Sequence, residues 1–349
     1  MLYFRFFPSK HKNLFSPGRK DAIMRKNNHY TFTQKGILHM YRIGIDLGGT
    51  NIAVGVVNEK YEIVALHSVP TGASRPAAEV IADMGDAVEA VLVKAGVSID
   101  QCESIGIGSP GNCDSEKGVV ARAYNLGWFD VPICAMLQSR FGIPVRLSND
   151  ANCAALAETV AGNAIGCKNM VLITLGTGVG GGIIIDGKIY AGMRSAGAEL
   201  GHTLLVLDGE QCTCGRKGCW ETYASATALI RQTRQAAADH PESLLAKTAP
   251  ADVTGRTVFD AADNGDPIAD EVIRQYCVYI AAGFTDLVNS LAPEMILLGG
   301  GISRQGERLL APIREYVTNN CFGQKDGAIP VIKAAALGNE AGIIGAAAL

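Results

Sequence analysis

Apolar and polar positions from residue 41 onward follow two rhythms. In YRIGIDLGGTNIAVGVVNEKYEIVALHSV, residues 41–69, β-branched runs break at Gly48-Gly49-Thr50 and again at Asn58-Glu59-Lys60, which predicts strand, glycine turn, strand, short turn, strand. PAAEVIADMGDAVEAVLVKAG (76–96) then sets Val80, Ile81, Met84, Val88, Val91 and Leu92 at helical spacing and closes on Gly96. SIGIGSPG (104–111) reads as a buried strand entering a turn, and VRLSNDANCAALAETVAG (145–162) as a strand passing through Asn149 and Asp150 into a helix of small residues. NMVLITLGTGVGGGIIIDGKIYAG (169–192) repeats the opening strand, turn and strand some 130 residues later. Beyond it the rhythm is mainly helical over 224–240 and 257–293, followed by a buried strand, EMILLGGG (294–301), and a closing helix, NEAGIIGAAAL (339–349). Strands alternating with helices predict an α/β protein with mixed sheets in two lobes, and the absence of a low-complexity linker predicts that the lobes meet at a cleft.

Composition adds bounds to this picture. With 349 residues the chain exceeds the size of one hydrophobic core, and its 41 glycines suit an enzyme with many tight turns. A net charge of −3 gives no electrostatic reason to expect nucleic acid or a membrane surface as partner. The longest uncharged apolar run, Met170 to Ile185, contains five glycines and falls short of the ~20 residues of a membrane span. Of ten cysteines only Cys212, Cys214 and Cys219 cluster; the dispersed remainder reads as small buried apolar residues in a reducing compartment, so a cytoplasmic location is expected. Residues 1–39 stand apart, with eight Lys/Arg against one acid and no sustained period; without them the net charge is −10. They read as a disordered extension or a misassigned start, and the folded protein is expected to begin at Met40.

Candidate chemistry sits at the turns. The glycine turns at Gly48-Gly49-Thr50-Asn51 and Gly176-Thr177-Gly178, with LLGGG at 297–301, offer backbone N–H groups and the hydroxyls of Thr50 and Thr177 to phosphate oxygens. Neither turn is a Walker loop or a dinucleotide fingerprint, because no Gly-Lys-Ser/Thr follows and both enter a strand, not a helix. Asp46, at the end of the first strand, is placed either to hold Mg²⁺ through water near phosphates or to accept the turn's own N–H groups. Asn149-Asp150 reads equally as a helix N-cap or as the site of a general base for phosphoryl transfer to an alcohol. Glu199, His202 and Glu221, if they converge with Asn125 and Asn149, make a polar pocket suited to a polyol or sugar. Cys212, Cys214 and Cys219 put three thiolates on one compact loop, and His202 is the nearest nitrogen ligand in sequence, a Cys3His set that points to structural zinc; no C-x-x-C redox motif is present.

Together these residues resemble the ROK family of sugar kinases and repressors, within the actin-like ATPase superfamily, and in particular its bacterial glucokinases. The motifs are DLGGTN (46–51), SPG (109–111), NLGW (125–128), SNDANCAALAE (148–158), LGTGVGGG (175–182), AGAELGH (196–202), CTCGRKGCWE (212–221) and LGGG (298–301). The resemblance implies a two-lobed actin-like ATPase (ribonuclease-H-like) fold with mixed sheets and an active site in the interdomain cleft. It implies a small lobe of 40–148 plus about 335–349 and a large lobe of 149–334 carrying a zinc loop at 202–219. It implies ATP, Mg²⁺ and structural Zn²⁺, with Asp150 as catalytic base toward the sugar 6-hydroxyl. Gly111, Asn125, Asn149, Asp150, Glu199, His202 and Glu221 match the sugar-binding positions. Asp46, Gly48, Gly49, Thr50, Asn51, Thr177, Gly178, Gly300 and Gly301 match the nucleotide side, and His202, Cys212, Cys214 and Cys219 the zinc ligands. A homodimer is implied as well. The resemblance favours glucose over N-acetylmannosamine, fructose, mannose or allose. A non-catalytic sugar sensor is a further alternative; a repressor is less favoured, because residues 1–39 lack the helix-turn-helix that precedes this fold in the repressors.

Overall fold

A computed structural model describes residues 40–322, 327 and 329–349; the expectation for residues 1–39 lies outside the described residues. The opening meander is β1 (Tyr41–Leu47), β2 (Asn51–Asn58) and β3 (Ile63–Pro70), each antiparallel to the next. Its inward positions Ile43, Ile45, Leu47, Ile52 and Val54 are fully buried, and α1 (Ala77–Ala95) packs its apolar stripe on β2 and β3 before stopping at Gly96, whose φ of 67° is the left-handed cap the sequence called for. β4 (Cys102–Ser109) runs parallel to β1. The hairpins of β5 (Asn112–Asp114), β6 (Val119–Ala123) and β7 (Trp128–Val131) form a small separate sheet, followed by α2 (Ile133–Phe141). β8 (Val145–Asn149) then pairs parallel with β4 and passes directly into α3 (Asp150–Val160).

The pattern then repeats. β9 (Met170–Leu175), β10 (Val179–Ile185) and β11 (Lys188–Ile189) form a second antiparallel meander. A loop follows, then the helical stretch: α4 (Glu221–Ala224), α5 (Ala226–Asp239), α6 (Thr257–Asp263) and α7 (Pro267–Leu291). The run expected as helix over 257–293 is two helices. It breaks where Gly265 turns to φ 81° and Asp266 caps α7 by accepting from the amides of Ile268 (2.9 Å) and Ala269 (3.4 Å), with Pro267 as first residue. β12 (Met295–Gly299), α8 (Glu307–Asn320), β13 (Val331–Ala334) and α9 (Ala341–Ala347) close the chain.

The two main sheets have one strand order: β3-β2-β1-β4-β8 and β11-β10-β9-β12-β13, each an antiparallel meander extended by two parallel strands. Each has its own core, one around Ile45, Ile107 and Val88, the other around Ile173, Trp220 and Phe284. The helices that follow them are exchanged. α3 leaves the first sheet and packs on β10 of the second, whereas α9 leaves the second and packs on β1 and β4 of the first, and the two helices pack against each other. Glycines permit this approach: a Cβ on Gly44 or Gly106 would run into the α9 carbonyls of Ile343 and Ala346, and one on Gly345 into the carbonyl of Cys153 on α3. The chain is therefore pinched at α3 and α9, where both sheets deliver their strand ends. Among the described residues no helix is long and apolar enough to cross a membrane.

Candidate active site

At the junction of β8 and α3 the capping role falls to one member of the Asn149-Asp150 pair. Asn149 is the N-cap: its Oδ1 accepts from the amides of Ala151 (2.9 Å) and Asn152 (3.4 Å), and its Nδ2 donates to the Gly111 carbonyl at 3.1 Å. Asp150 is thereby the first helical residue, and its carboxylate makes only a local bond, accepting from the Ala151 amide at 2.8 Å. Asp150 lines two adjoining cavities between the sheets.

That space is a continuous trough made of three adjoining cavities. At one end a hollow of about 80 Å³ is lined by Gly111, Asn149, Asp150, Asn152 and Glu199. A middle cavity of about 340 Å³ shares Asp150, Ala151 and Gly180 with it and adds Asp46, Thr174 and Gly342. The far cavity, about 370 Å³, shares Thr174, Asn339 and Ala341 with the middle one and reaches Gly300, Gly301, Ser303 and Arg304. The trough thus runs from a polar, acid-lined end, past two carboxylates, to a glycine-lined end.

The two central carboxylates are held above the ordinary Asp range. Asp46 is pushed up to about 6, first by burial and then by the charge of Asp150. Asp150 is also raised, first by its crowded surroundings and additionally by Glu199, against the pull of the Ala151 amide and the Asn149 side chain. Asp46, crowded and facing the charge of Asp150, is a carboxylate that a divalent cation would relieve, so the middle of the trough fits Mg²⁺ with Asp46 as its holder.

The glycine turns flank this centre. In the first, Gly48 N–H donates to the Asn51 carbonyl (2.9 Å) and Thr71 ties the turn down through Gly48 and Thr50, leaving Gly49, Thr50 and Asn51 exposed; Gly49 stands beside the Asn125 amide. In the second, Gly176 N–H donates to the Gly178 carbonyl (3.0 Å) and Thr227 Oγ1 to the Thr177 carbonyl (2.8 Å), leaving Thr177 exposed. Glu221 braces it by accepting from the Val179 amide at 3.0 Å.

His202, Cys212, Cys214 and Cys219 come together with all four ligand atoms within 4.8 Å of one another. His202 Nδ1 lies 3.6 Å from Cys212 Sγ, and Cys214 Sγ 3.6 Å from Cys219 Sγ. The Arg216 amide and neighbouring thiols hold the Cys214 thiol down at about 6, while burial pushes that of Cys219 up to about 11. Three thiols and an imidazole this close, one already acidified, fit a tetrahedral zinc set. Glu221 links this cluster to the second glycine turn, since its Oε1 receives the Cys212 thiol at 3.8 Å while its other oxygen accepts from the Val179 amide. Of the candidate sugar residues, Gly111, Asn149, Asp150 and Glu199 line one cavity together; Asn125, His202 and Glu221 stand outside its lining.

Two features went unread in the sequence. Glu158, fully buried, accepts from the amides of Ala336 (2.8 Å) and Leu337 (3.0 Å) with one oxygen and of Asn163 (2.8 Å) with the other, pinning the segment between β13 and α9 that borders the far cavity. An acid on the buried stripe of a small-residue helix was the signal for it. The segment before Glu199 carries Arg194, Ser195 and Ala198 at φ of 54°, 54° and 64°, and Ser195 Oγ meets Ser115 Oγ at 3.3 Å, so it bridges to the small sheet above the hollow.

Comparisons with known proteins bear on this geometry. A sequence model of the ROK family matches residues 42–349. The glucokinase of Halalkalibacterium halodurans is 38% identical over 307 residues, covering 87% of this chain and 92% of its own. A xylose repressor of Caldicellulosiruptor bescii is 30% identical over 281 residues, covering 80% of this chain and 70% of its own. Among solved structures, a Streptomyces griseus ROK glucokinase in complex with glucose and AMPPNP superposes with a TM-score of 0.73 at 37% identity, covering 88% of this chain and 98% of that one. The repeated sheets and exchanged helices are accordingly the two-lobed actin-like ATPase fold.

Proposed function

The chain belongs to the ROK family, and on that premise we propose that it is an ATP-dependent hexose kinase that converts glucose to glucose 6-phosphate. The observation that carries the reading is the trough itself, whose ends and centre suit sugar, phosphates and adenosine in that order. The sugar lies at the hollow, held by Gly111, Asn149 and Glu199, with Asn125, His202 and Glu221 completing the pocket as the lobes close and exclude water. Those lobes are 40–148 with about 335–349, and 149–334. Asp150 accepts the 6-hydroxyl proton as the oxygen attacks the γ-phosphorus of ATP. The bond from that phosphorus to the bridging oxygen breaks, and ADP leaves with the electron pair. Gly48 to Asn51 and Thr177-Gly178 donate to the phosphates, and Gly300-Gly301 flank the adenosine.

Asp46 would hold Mg²⁺, which would supply charge neutralisation at the phosphates. His202, Cys212, Cys214 and Cys219 would hold Zn²⁺ as a structural staple of the loop. With Nδ1 of His202, which faces Cys212, given to the metal, Nε2 would be an N–H donor available to a sugar hydroxyl. A cytoplasmic setting and a homodimer, the latter testable by light scattering, are part of the same reading.

The experiment is ADP formation by purified protein with MgATP and glucose, mannose, fructose, allose or N-acetylmannosamine, with glucose expected to give the highest kcat/KM. Preference for another of these sugars would move the substrate and keep the chemistry. Sugar binding without ADP formation would favour the non-catalytic sensor or repressor, the reading to which the xylose repressor's similarity points.

A further inference from the structure

Among the described residues three buried side-chain atoms have no hydrogen-bond partner: Asn112 Oδ1, Trp128 Nε1 and Asn152 Oδ1. All three are close in sequence to the proposed sugar positions, and Asn152 lines the hollow itself. Asn112 follows Gly111, Trp128 ends the NLGW motif that Asn125 begins, and Asn152 stands two residues after Asp150. A buried polar atom without a partner destabilises the free protein, and groups of this kind persist where a ligand or an ordered water supplies the missing bond. Asn152 is the sharpest case. It is 3% exposed, it lines the same hollow as Gly111, Asn149, Asp150 and Glu199, and its Oδ1 has no partner while its backbone amide donates to Asn149 Oδ1 at 3.4 Å. The capped first turn of α3 fixes where its carboxamide stands relative to Asp150.

We propose that Asn152 is a specificity-determining residue, whose carboxamide hydrogen-bonds one ring hydroxyl of the hexose whose 6-hydroxyl faces Asp150. This rests on the hexose-kinase reading. The hydroxyl pairs an amide that water reaches poorly, so a sugar lacking that hydroxyl, or presenting it with inverted configuration, leaves the amide unpaired and binds worse.

The test is a cycle of Asn152→Ala and Asn152→Leu against glucose and its 1-, 2-, 3- and 4-deoxy analogues, reading kcat and KM for each. Expected is about a 10- to 100-fold fall in kcat/KM on glucose, carried mainly by KM, which vanishes on one deoxy sugar where wild type and variants converge. The sugar-free melting temperature of Asn152→Leu should equal or exceed that of wild type, because an unpaired amide is lost. Uniform losses on every sugar, no loss on glucose, or a marked fall in the sugar-free melting temperature of both variants would overturn the proposal and leave Asn152 holding water or packing only. If wild type itself forms no ADP with any hexose, the kinase reading fails and the proposal with it, a result distinct from an active wild type without coupling.

Discussion

The two five-stranded sheets are one frame built twice, and they part company at matching positions. Asp46 of β1 and Thr174 of β9 are each the penultimate residue of the first strand of a meander, each opposite a glycine of the parallel neighbour, Gly108 or Gly299. One half thus presents a carboxylate where the other presents a hydroxyl. At the next junction the contrast repeats: β8 passes straight into Asp150, whereas β13 passes into a segment whose amides are occupied by Glu158. The repeated frame brings strand ends and glycine turns to both walls of a trough. The departures from the repeat put the carboxylates of Asp46 and Asp150 at the centre of the trough, where the second half has the Thr174 hydroxyl and a segment already tied to Glu158.

Replacing the acid that has no counterpart in the second half should have the largest effect. Asp150→Asn is expected to lower kcat by about 10²- to 10⁴-fold while calorimetric sugar affinity stays within about threefold; a kcat near wild type removes Asp150 as base. Attacking instead the packing that joins the halves should unfold without selectively disabling. Gly345→Ala drives a Cβ into the Cys153 carbonyl, and a loss of about 1–3 kcal/mol is expected in denaturant titration, with kcat of the surviving folded fraction retained. The zinc loop belongs to the second half alone. Cys214→Ser should lower zinc content and raise the KM for sugar together, by about 10-fold, and retained zinc with unchanged kinetics would detach the cluster from the pocket.

The smallest effect is thermal. Because the folded-state pKa of Asp46, about 6, lies above its unfolded value, folding retains a proton between about pH 4 and 6 that the unfolded chain has released. Its contribution therefore favours folding at low pH and declines as pH rises through that window. Asp46→Asn should raise the melting temperature at about pH 7.5 and leave it nearly unchanged at about pH 4; equal shifts at both would show that Asp46 is not the group titrating.

The sequence was most legible where period and punctuation agree. Both meanders, α1 with its Gly96 cap and the passage of β8 into α3 follow from β-branched runs, helical spacing and glycine, and local rules govern all of them. The small sheet of β5, β6 and β7 escaped because strands of three to five residues are too short to show alternation. The exchange of α3 and α9 is a long-range outcome that no local pattern encodes. In the site, the motif residues Gly111, Asn149, Asp150 and Glu199 meet in one hollow; Glu158 had a signal in its place on the buried stripe of a small-residue helix, while Asn152 and the left-handed Arg194-Ser195 were invisible because burial of a polar side chain and backbone strain have no one-dimensional signature.

The most direct measurement is a crystal structure of the complex with glucose and a non-hydrolysable ATP analogue. The account predicts the Asp150 carboxylate about 2.6–3.2 Å from the sugar 6-hydroxyl, with that oxygen in line with the γ-phosphate and Gly300-Gly301 beside the adenosine. A sugar whose 6-hydroxyl points away from Asp150 toward another base, or a nucleotide seated outside the glycine-lined end, would contradict it.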